Sequence, residues 1–190
     1  MPNLNTRQQL AVGIVLAAFI AFTRSHHFAG LHHLPDASWA VFFLAGLYLR
    51  PAWTFPTLCV LAATSDTIAV SWGGVSSFCV SPAYAMLLPA YGALWMAGRW
   101  YAGRHSERAA TLLPLVLAVS AGSVTCELLS SASFYFFSGR YIDPSLTEFI
   151  PRLVKYFPHA LSSMALYIGA AAIVHAALVA VNGRSAQVRG

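Results

Sequence analysis

Long apolar stretches, separated by short polar segments, make up most of the chain. Runs that carry no charge or a single acid occupy 8–23, 37–49, 51–72, 80–98 and 109–137, and a last apolar segment covers about 150–181. A helix that crosses a bilayer core of about 30 Å needs roughly 20 apolar residues. The pattern therefore predicts six membrane-spanning helices, of which the second is the shortest.

Composition supports a membrane protein and excludes other classes. Apolar residues are 58% of the chain and charged residues 9%, whereas a soluble domain has about 25% charged residues. The aromatic content argues against disorder, and scattered arginines without a basic stripe argue against nucleic-acid binding. Without an internal repeat or linker, residues 1–190 are expected to form one all-α transmembrane domain embedded in the lipid bilayer.

The distribution of positive charge predicts the orientation. Six helices place both termini on one side, and that side carries seven of the 11 lysines and arginines: Arg7, Arg50, Arg99, Arg104, Arg108, Arg184 and Arg189. Cytoplasmic loops are enriched in such residues, so both termini are predicted to be cytoplasmic. The first helix is expected to be retained, because no small-x-small cleavage site precedes Arg24.

The three cysteines fall into two groups. Cys59 and Cys126 lie inside predicted helices, where a cysteine is usually a small buried hydrophobe. Cys79 lies in the segment GGVSSFCVSPAY, a short loop at the outer end of the fourth helix. No pair has the C-x-x-C spacing, which argues against a thiol oxidoreductase and a structural zinc site. A lone thiol at an outer loop is a candidate functional residue.

Two acids interrupt the apolar helices. Asp66 and Glu127 each lie late in an outward-running helix, and a charge at the bilayer centre costs about 2.5–3.5 kcal/mol. Each is expected to be paired inside the bundle or to serve a ligand. His159, early in the sixth helix, is more typical of a core histidine.

The first outer loop, SHHFAGLHHLPDAS, contains four histidines: His26, His27, His32 and His33. Imidazole suits transition metals such as Zn, Cu and Ni. The alternative is a polar, aromatic loop that lies at the membrane interface without binding a metal. Arg152 and Lys155 flank the start of the sixth helix, where they either anchor the helix by snorkelling or contact a ligand.

These polar residues converge on the outer third of the predicted bundle. The set comprises His27, Asp66, Cys79, Tyr84, Glu127, Arg152 and His159, with several aromatic residues at the same level. It predicts a cup for a large, partly apolar ligand with polar edges. On the first helix, Gly13, Ala17 and Ala21 form a small-residue face, which favours close helix packing within the chain or against another membrane subunit.

The chain resembles a known transporter family at this point. Six helices with Ala17 and Ala21 in the first helix are similar to the S-components of energy-coupling-factor vitamin transporters. The histidine-bearing first loop and the stretch GGVSSFCVSPAYAMLLPAYG resemble the BtuM family, S-component-like cobalamin (vitamin B12) transporters of Gram-negative bacteria. The resemblance implies an inner-membrane protein that works without a dedicated energising module, although such a module remains an alternative partner.

The resemblance also implies a ligand site. The family's cobalt-ligating cysteine corresponds to Cys79, with His27 as the competing ligand. His27, Asp66, Tyr84 and Arg152 occupy places where family members have ligand-pocket residues. Thiolate is a strong, soft donor for cobalt, and its donation weakens the bond between cobalt and an upper cyanide. The resemblance therefore also suggests a side-activity of Cys79, the removal of cyanide from cyanocobalamin.

One rival hypothesis uses the same residues differently. A transition-metal cation permease would bind bare ions through the outer-loop histidines together with Asp66 and Glu127. Membrane-enzyme chemistry has little support, because the sequence contains no Ser-His-Asp pattern, H-E-x-x-H motif or phosphate loop.

Overall fold

The computed structural model describes residues 4–24, 34–72, 81–106 and 109–188, without the side chains of 182–188. Within these ranges the chain is all-helical. The helices are α1 (Thr6–Arg24), α2 (Ser38–Tyr48), α3 (Thr54–Trp72), α4 (Leu87–Ala102), α5 (Leu112–Phe137) and α6 (Leu146–Val188). A 3₁₀ turn over Pro82–Met86 leads into α4. The six predicted helices are therefore confirmed as helices in the described part of the chain.

Four of these helices are long and apolar enough to cross a membrane: α1, α3, α5 and residues 146–181 of α6. α2 has only 11 residues and is about 17 Å long at 1.5 Å per residue, which is shorter than a bilayer core. α4 has 16 residues and is extended at its start by the 3₁₀ turn. The prediction of six separate crossings is thus supported for four helices by length and composition.

Contacts between helix termini define two ends of the bundle. At the first, Arg24 at the end of α1 contacts Ser38 at the start of α2 and Asp66 late in α3. At the second, the Arg50 amide donates to Gln9 and the Arg99 guanidinium donates to the Arg50 carbonyl. We call these the Arg24 end and the Arg50 end. Consecutive helices from α1 to α4 therefore run alternately between them, as the hydrophobic pattern predicts.

α2 is the centre of the bundle despite its length. Nine of its 11 residues are buried, and it packs against α1, α3, α4 and α6. The ring of Phe42 stacks on Tyr91 of α4 at 4.4 Å and meets Phe55 of α3 edge-on at 5.8 Å. A helix that is apolar on all sides is typical of a fully enclosed position.

Two glycines allow α2 and α4 to touch through their backbones. A Cβ added at Gly46 would overlap the carbonyl oxygen of Trp95, and a Cβ at Gly98 would overlap that of Phe43. Each glycine thus lies against the other helix's backbone, in a reciprocal contact. Small residues permit such close helix approach where no water drives association, and this contact fixes how α2 and α4 cross.

The periphery of the bundle is strongly apolar. Large exposed hydrophobic side chains occur on every long helix, for example Ile14 on α1, Val60 on α3, Leu117 on α5 and Ile173 on α6. Soluble proteins rarely expose such continuous apolar surface. Together with the four long helices, this surface is what a membrane protein presents to lipid.

The small-residue face of α1 lies beside α3. Gly13 and Ala17 line a groove of about 540 Å³ that also contacts Leu49, Leu58 and Leu61. A Cβ at Gly13 would meet the Leu49 side chain at an ordinary 3.9 Å. The face therefore packs only loosely against its own chain.

Candidate functional site

An ion pair between Arg24 and Asp66 lies at the centre of the Arg24 end. Nε of Arg24 donates to Oδ1 of Asp66 at 2.9 Å, and the NH2 group of the same guanidinium contacts Oδ2. The side chain of Arg24 is 9% exposed and that of Asp66 is 25% exposed. This two-point geometry suits a planar guanidinium and a carboxylate, and it holds the last turn of α1 against α3.

Three hydroxyl groups complete the contacts of the pair. The NH1 group of Arg24 donates to Ser38 Oγ at 2.9 Å and to the Tyr91 hydroxyl at 2.7 Å. The Tyr84 hydroxyl donates to Oδ2 of Asp66 at 2.6 Å. The network therefore joins α1, α2, α3, the 3₁₀ turn and α4 at one level of the bundle.

A second carboxylate supports the network from the loop before α2. Oδ1 of Asp36 accepts hydrogen bonds from the Ser38 amide at 3.0 Å and from Ser38 Oγ at 2.7 Å. Next to it, the Ala37 amide donates to the Thr23 hydroxyl at 3.2 Å. Local hydrogen bonds of this kind fix a helix start. They therefore hold the Ser38 hydroxyl, which accepts from Arg24, in position before a ligand binds.

Counting only the donors of the described residues, Asp66 retains capacity for one more hydrogen bond. An ionised carboxylate has about four acceptor positions, and those of Asp66 take two contacts from Arg24 and one from Tyr84. The residue is also the partly exposed member of the ion pair. Because Arg24 balances its charge, Asp66 is suited to accept a neutral N–H group such as an amide rather than to bind a bare cation.

A separate polar cavity of about 260 Å³ lies between the end of α5 and the start of α6. Its walls combine hydroxyls, aromatic rings, one carboxylate and one guanidinium. They are Glu127, Ser130, Ser131, Phe134, Tyr135, Tyr141, Phe149, Arg152, Leu153 and Tyr156. α5 packs on the 3₁₀ turn, which carries Tyr84, so this cavity also belongs to the Arg24 end.

Arg152 is held among tyrosines in this cavity. Its NH2 group donates to the Tyr141 hydroxyl at 2.6 Å, and its guanidinium carbon lies 4.7 Å from the ring centre of Tyr141. The rings of Tyr135 and Tyr156 are within 6 Å of the same carbon. Arg152 itself is exposed. Aromatic faces stabilise a cation, while the exposed part of the fork remains available to an anionic oxygen.

Glu127 is the buried carboxylate of the cavity. It is 7% exposed, and Oε1 accepts a hydrogen bond of 2.6 Å from Ser131 Oγ one turn further along α5. The expectation that this acid is hydrogen-bonded inside the bundle is confirmed. With Arg152 on the opposite wall, the cavity offers both a donor and an acceptor.

The structure brings together part of the predicted set. Asp66 and Tyr84 are directly hydrogen-bonded, which confirms that Asp66 is paired in the bundle. Arg152 lines the separate cavity with Glu127. Cys79 and His27 lie outside the described residues, so their predicted roles stay predictions.

Three other predicted residues have simpler outcomes. His159 is exposed, so its assignment as a core histidine is wrong; its backbone carbonyl accepts hydrogen bonds from the Ser162 and Ser163 hydroxyls. The face it occupies on α6 makes few contacts with the bundle. Cys126 is fully buried and free, as expected for a small hydrophobe, whereas the free thiol of Cys59 is partly exposed.

Arg24 is the site residue that sequence reasoning missed. It is absent from the predicted ligand cup, but it forms the last turn of α1 and pairs with Asp66. The sequence does contain a signal for this pairing. An acid within an apolar helix needs a cation, and Arg24 lies at the same predicted end of the bundle as Asp66. Ser38 and Tyr91 carried no comparable signal, because a hydroxyl in a helix is compatible with many environments.

Among the residues of the described ranges, no group of three or more histidines, cysteines and acids could hold a metal ion. The predicted cobalt ligand and the four loop histidines are outside those ranges. No protein-family model and no curated protein matches the chain.

Proposed function

We propose that this protein is a cobalamin transporter of the BtuM type, which binds its substrate at the Arg24 end and mediates uptake across the cell inner membrane. The observation that carries the proposal is the hydrogen-bonded group Arg24–Asp66–Tyr84 at that end. It flanks the segment that carries Cys79, since Trp72 ends α3 and Tyr84 follows Cys79 by five residues.

The two polar clusters match different parts of the proposed substrate. The corrin ring has amide side chains on its rim, which need acceptors such as Asp66 and hydroxyl groups such as Tyr84. The nucleotide loop contains a phosphate, for which the guanidinium fork of Arg152 is well shaped. A cavity of about 260 Å³ is small for a whole ligand of this kind, so it would receive one edge of the molecule.

In this proposal Cys79 binds the cobalt of the substrate as a thiolate, with the substrate's own nucleotide base displaced. A soft sulfur donor suits this metal, and coordination favours the deprotonated thiol. Sulfur donation also weakens the opposite bond to an upper cyanide. Cyanide would then leave with the bonding electron pair and take up a proton from water, which is the decyanation side-activity.

The finer topology belongs to the same proposal. Six crossings, with both termini in the cytoplasm, place the Arg24 end and Cys79 on the outer face. α2 makes its crossing as a short enclosed helix, because α1, α3, α4 and α6 surround it and shield its ends from lipid. We propose that the protein works alone, without an energising module.

The rival hypothesis of a bare-cation permease is less compatible with the geometry. Arg24 already neutralises Asp66, and a metal ion would have to displace this guanidinium. Glu127 faces a cavity that also contains Arg152. A fixed positive charge paired with Asp66, and another on the opposite wall of the cavity that contains Glu127, disfavour a second cation at either position.

The test is the absorption spectrum of cobalamin bound to the purified full-length protein. We expect sulfur-to-cobalt charge-transfer bands that disappear in Cys79→Ala, together with loss of decyanation and impaired uptake in a strain without its own cobalamin importer. Cys59→Ala is the matched control, because Cys59 is also free and partly exposed. A Cys79→Ala protein that keeps the wild-type spectrum would contradict thiolate ligation and direct attention to His27.

Uptake should be measured with and without a co-expressed energising module. Equal uptake in both strains supports transport by this chain alone. Uptake that depends on the module would overturn the solitary mode while leaving the binding site intact.

A further inference from the structure

The groove between α1 and α3 starts at the Arg50 end, away from the proposed cobalamin site, and has a volume of about 540 Å³. We call it the α1–α3 groove. On α1 its lining extends from Thr6 to Ala17, a separation of eleven positions and about 17 Å of helix. A bilayer core is about 30 Å thick, so one leaflet is about 15 Å deep. The groove therefore has about the length of one leaflet.

The walls of the groove are apolar and accessible from outside the bundle. Leu10 is 65% exposed and Ile14 is 60% exposed, and two leucines of α3 form the opposite wall. Gly13 widens the groove. Outside its own helix, a Cβ added at Gly13 would meet only the Leu49 side chain, at 3.9 Å, among the described residues. Such walls suit a hydrocarbon chain, which has no polar group to satisfy.

Arg50 lies at the mouth of the groove and is the only charged residue among its described lining residues. Its backbone is held on both sides, since the amide donates to Gln9 Oε1 at 3.1 Å and the carbonyl accepts from the Arg99 guanidinium at 2.6 Å. The guanidinium of Arg50 is exposed, and no described residue forms a hydrogen bond or an ion pair with it. The mouth therefore carries a positioned cation that the described part of the chain does not neutralise.

The surroundings of this mouth are positively charged. Arg7, Arg99 and Arg104 lie at the same end of the bundle. The acids of the described ranges lie at the Arg24 end: Asp36, Asp66, Glu127, Asp143 and Glu148. A guanidinium is well shaped for a phosphate, and basic pockets between membrane helices attract anionic lipids. The occupant that matches the groove has an apolar chain and an anionic head.

We propose that the α1–α3 groove binds one acyl chain of an anionic phospholipid, whose phosphate contacts the Arg50 guanidinium. Trp53, which is exposed beside the mouth, lies at the level of the lipid headgroups, where tryptophan is enriched. The lipid links α1 to α3 at the Arg50 end, as the Arg24–Asp66 pair links them at the other end. This site is independent of the proposed cobalamin transport.

Phosphatidylglycerol is the probe for the headgroup contact, and phosphatidylcholine with the same acyl chains is the neutral comparison. Native mass spectrometry of the full-length protein in detergent should show one saturable phosphatidylglycerol per chain, bound at least tenfold more tightly than phosphatidylcholine. Arg50→Gln should weaken phosphatidylglycerol binding about tenfold, as expected for loss of a charge-assisted hydrogen bond. Arg7→Gln is the matched control, because Arg7 lies at the same end but does not line the groove.

The acyl-chain contact is tested by filling the groove. Gly13→Leu places a side chain where the lipid chain would lie and should weaken binding of phosphatidylglycerol at least tenfold. Gly169→Leu makes the same change on α6, where among the described residues an added Cβ would meet nothing within 4 Å beyond its own helix, and should leave binding unchanged. If Gly13→Leu does not fold, Arg50→Gln keeps the test valid, because only the backbone of Arg50 contacts neighbouring helices.

Four outcomes would overturn the proposal. They are equal affinity for the two lipids, equal effects of Arg50→Gln and Arg7→Gln, full affinity in a folded Gly13→Leu protein, and a protein subunit that copurifies with the wild type but not with Gly13→Leu. The last outcome would assign the groove to a protein partner instead of a lipid.

Discussion

The two ends of the bundle differ in how Arg24, at one end, and Arg99 and Arg104, at the other, are held. At the Arg24 end, one arginine is buried and satisfied by a carboxylate and two hydroxyls from other helices. At the Arg50 end, Arg99 and Arg104 lie over the indole rings of Trp95 and Trp100 at 4.7 and 3.8 Å, and donate to backbone carbonyls. The first arrangement builds an interior polar site, whereas the second anchors helices at a membrane surface.

Helix packing also differs between the Arg50 end and the Arg24 end. Near the Arg50 end, α2 and α4 touch backbone to backbone through Gly46 and Gly98. Near the Arg24 end, the first turns of α6 are largely exposed and leave a cavity against α5. Rigid backbone contact suits a fixed scaffold, and open packing with oriented polar groups suits ligand binding. The predictions below are ways to test this division of roles.

The largest expected effect is at the glycine contact. Gly98→Val would force side-chain atoms into the Phe43 carbonyl and should cost about 3 kcal/mol or more, the upper end of the cost of overpacking. Thermal unfolding of the purified protein in detergent measures it. Gly169→Ala is the control, because among the described residues its added Cβ would meet nothing within 4 Å beyond the backbone of its own helix; a similar loss in both variants would contradict the close contact.

Removal of Arg24 should have the next largest effect. Arg24→Met leaves Asp66 without its cation and should destabilise the protein by about 2–3 kcal/mol, less than for a fully buried pair, because Asp66 is partly exposed to solvent. Adding Asp66→Leu to this variant should restore most of the loss, because no unpaired charge remains. Denaturant titration of both variants measures the difference, and an equally unstable double variant would show that the pair contributes through packing alone.

Substitution of Arg152 should weaken cobalamin binding with little effect on the stability of the protein. Arg152→Gln removes an exposed guanidinium that contacts tyrosine rings, so unfolding should shift little, within about 1 kcal/mol. Cobalamin affinity should fall about tenfold, in line with loss of a charge-assisted hydrogen bond. Equilibrium binding measures the affinity, with Lys155→Gln as the nearby charge control. Unchanged affinity would remove the α5–α6 cavity from the proposed site.

The smallest expected effect is at the interface arginines. Arg104→Gln removes a cation that lies on an exposed indole ring and should cost no more than about 1 kcal/mol. Cobalamin binding should not change, because this residue lies at the Arg50 end. Weaker binding of cobalamin in this variant would contradict the assignment of ligand chemistry to the Arg24 end.

Much of the architecture could be predicted from the sequence. Apolar runs of membrane length define α1, α3, α5 and α6, because a bilayer leaves helices as the structure that satisfies their backbone groups internally. The short length of α2 also follows from the sequence, because the charged residues Asp36 and Arg50 bracket a short apolar run. Asp66 stands out for the same reason, since an acid inside an apolar run must find a partner.

The sequence alone thus determined the helices, their alternation and the need for polar partners at one end. Only the tertiary structure decided which groups meet. Arg24 and Asp66 are 42 positions apart, and Gly46 and Gly98 become a pair only where two helices cross. Helix periodicity and hydropathy are local properties, whereas a pairing depends on the rotation and crossing of packed helices, which the whole set of side chains fixes together.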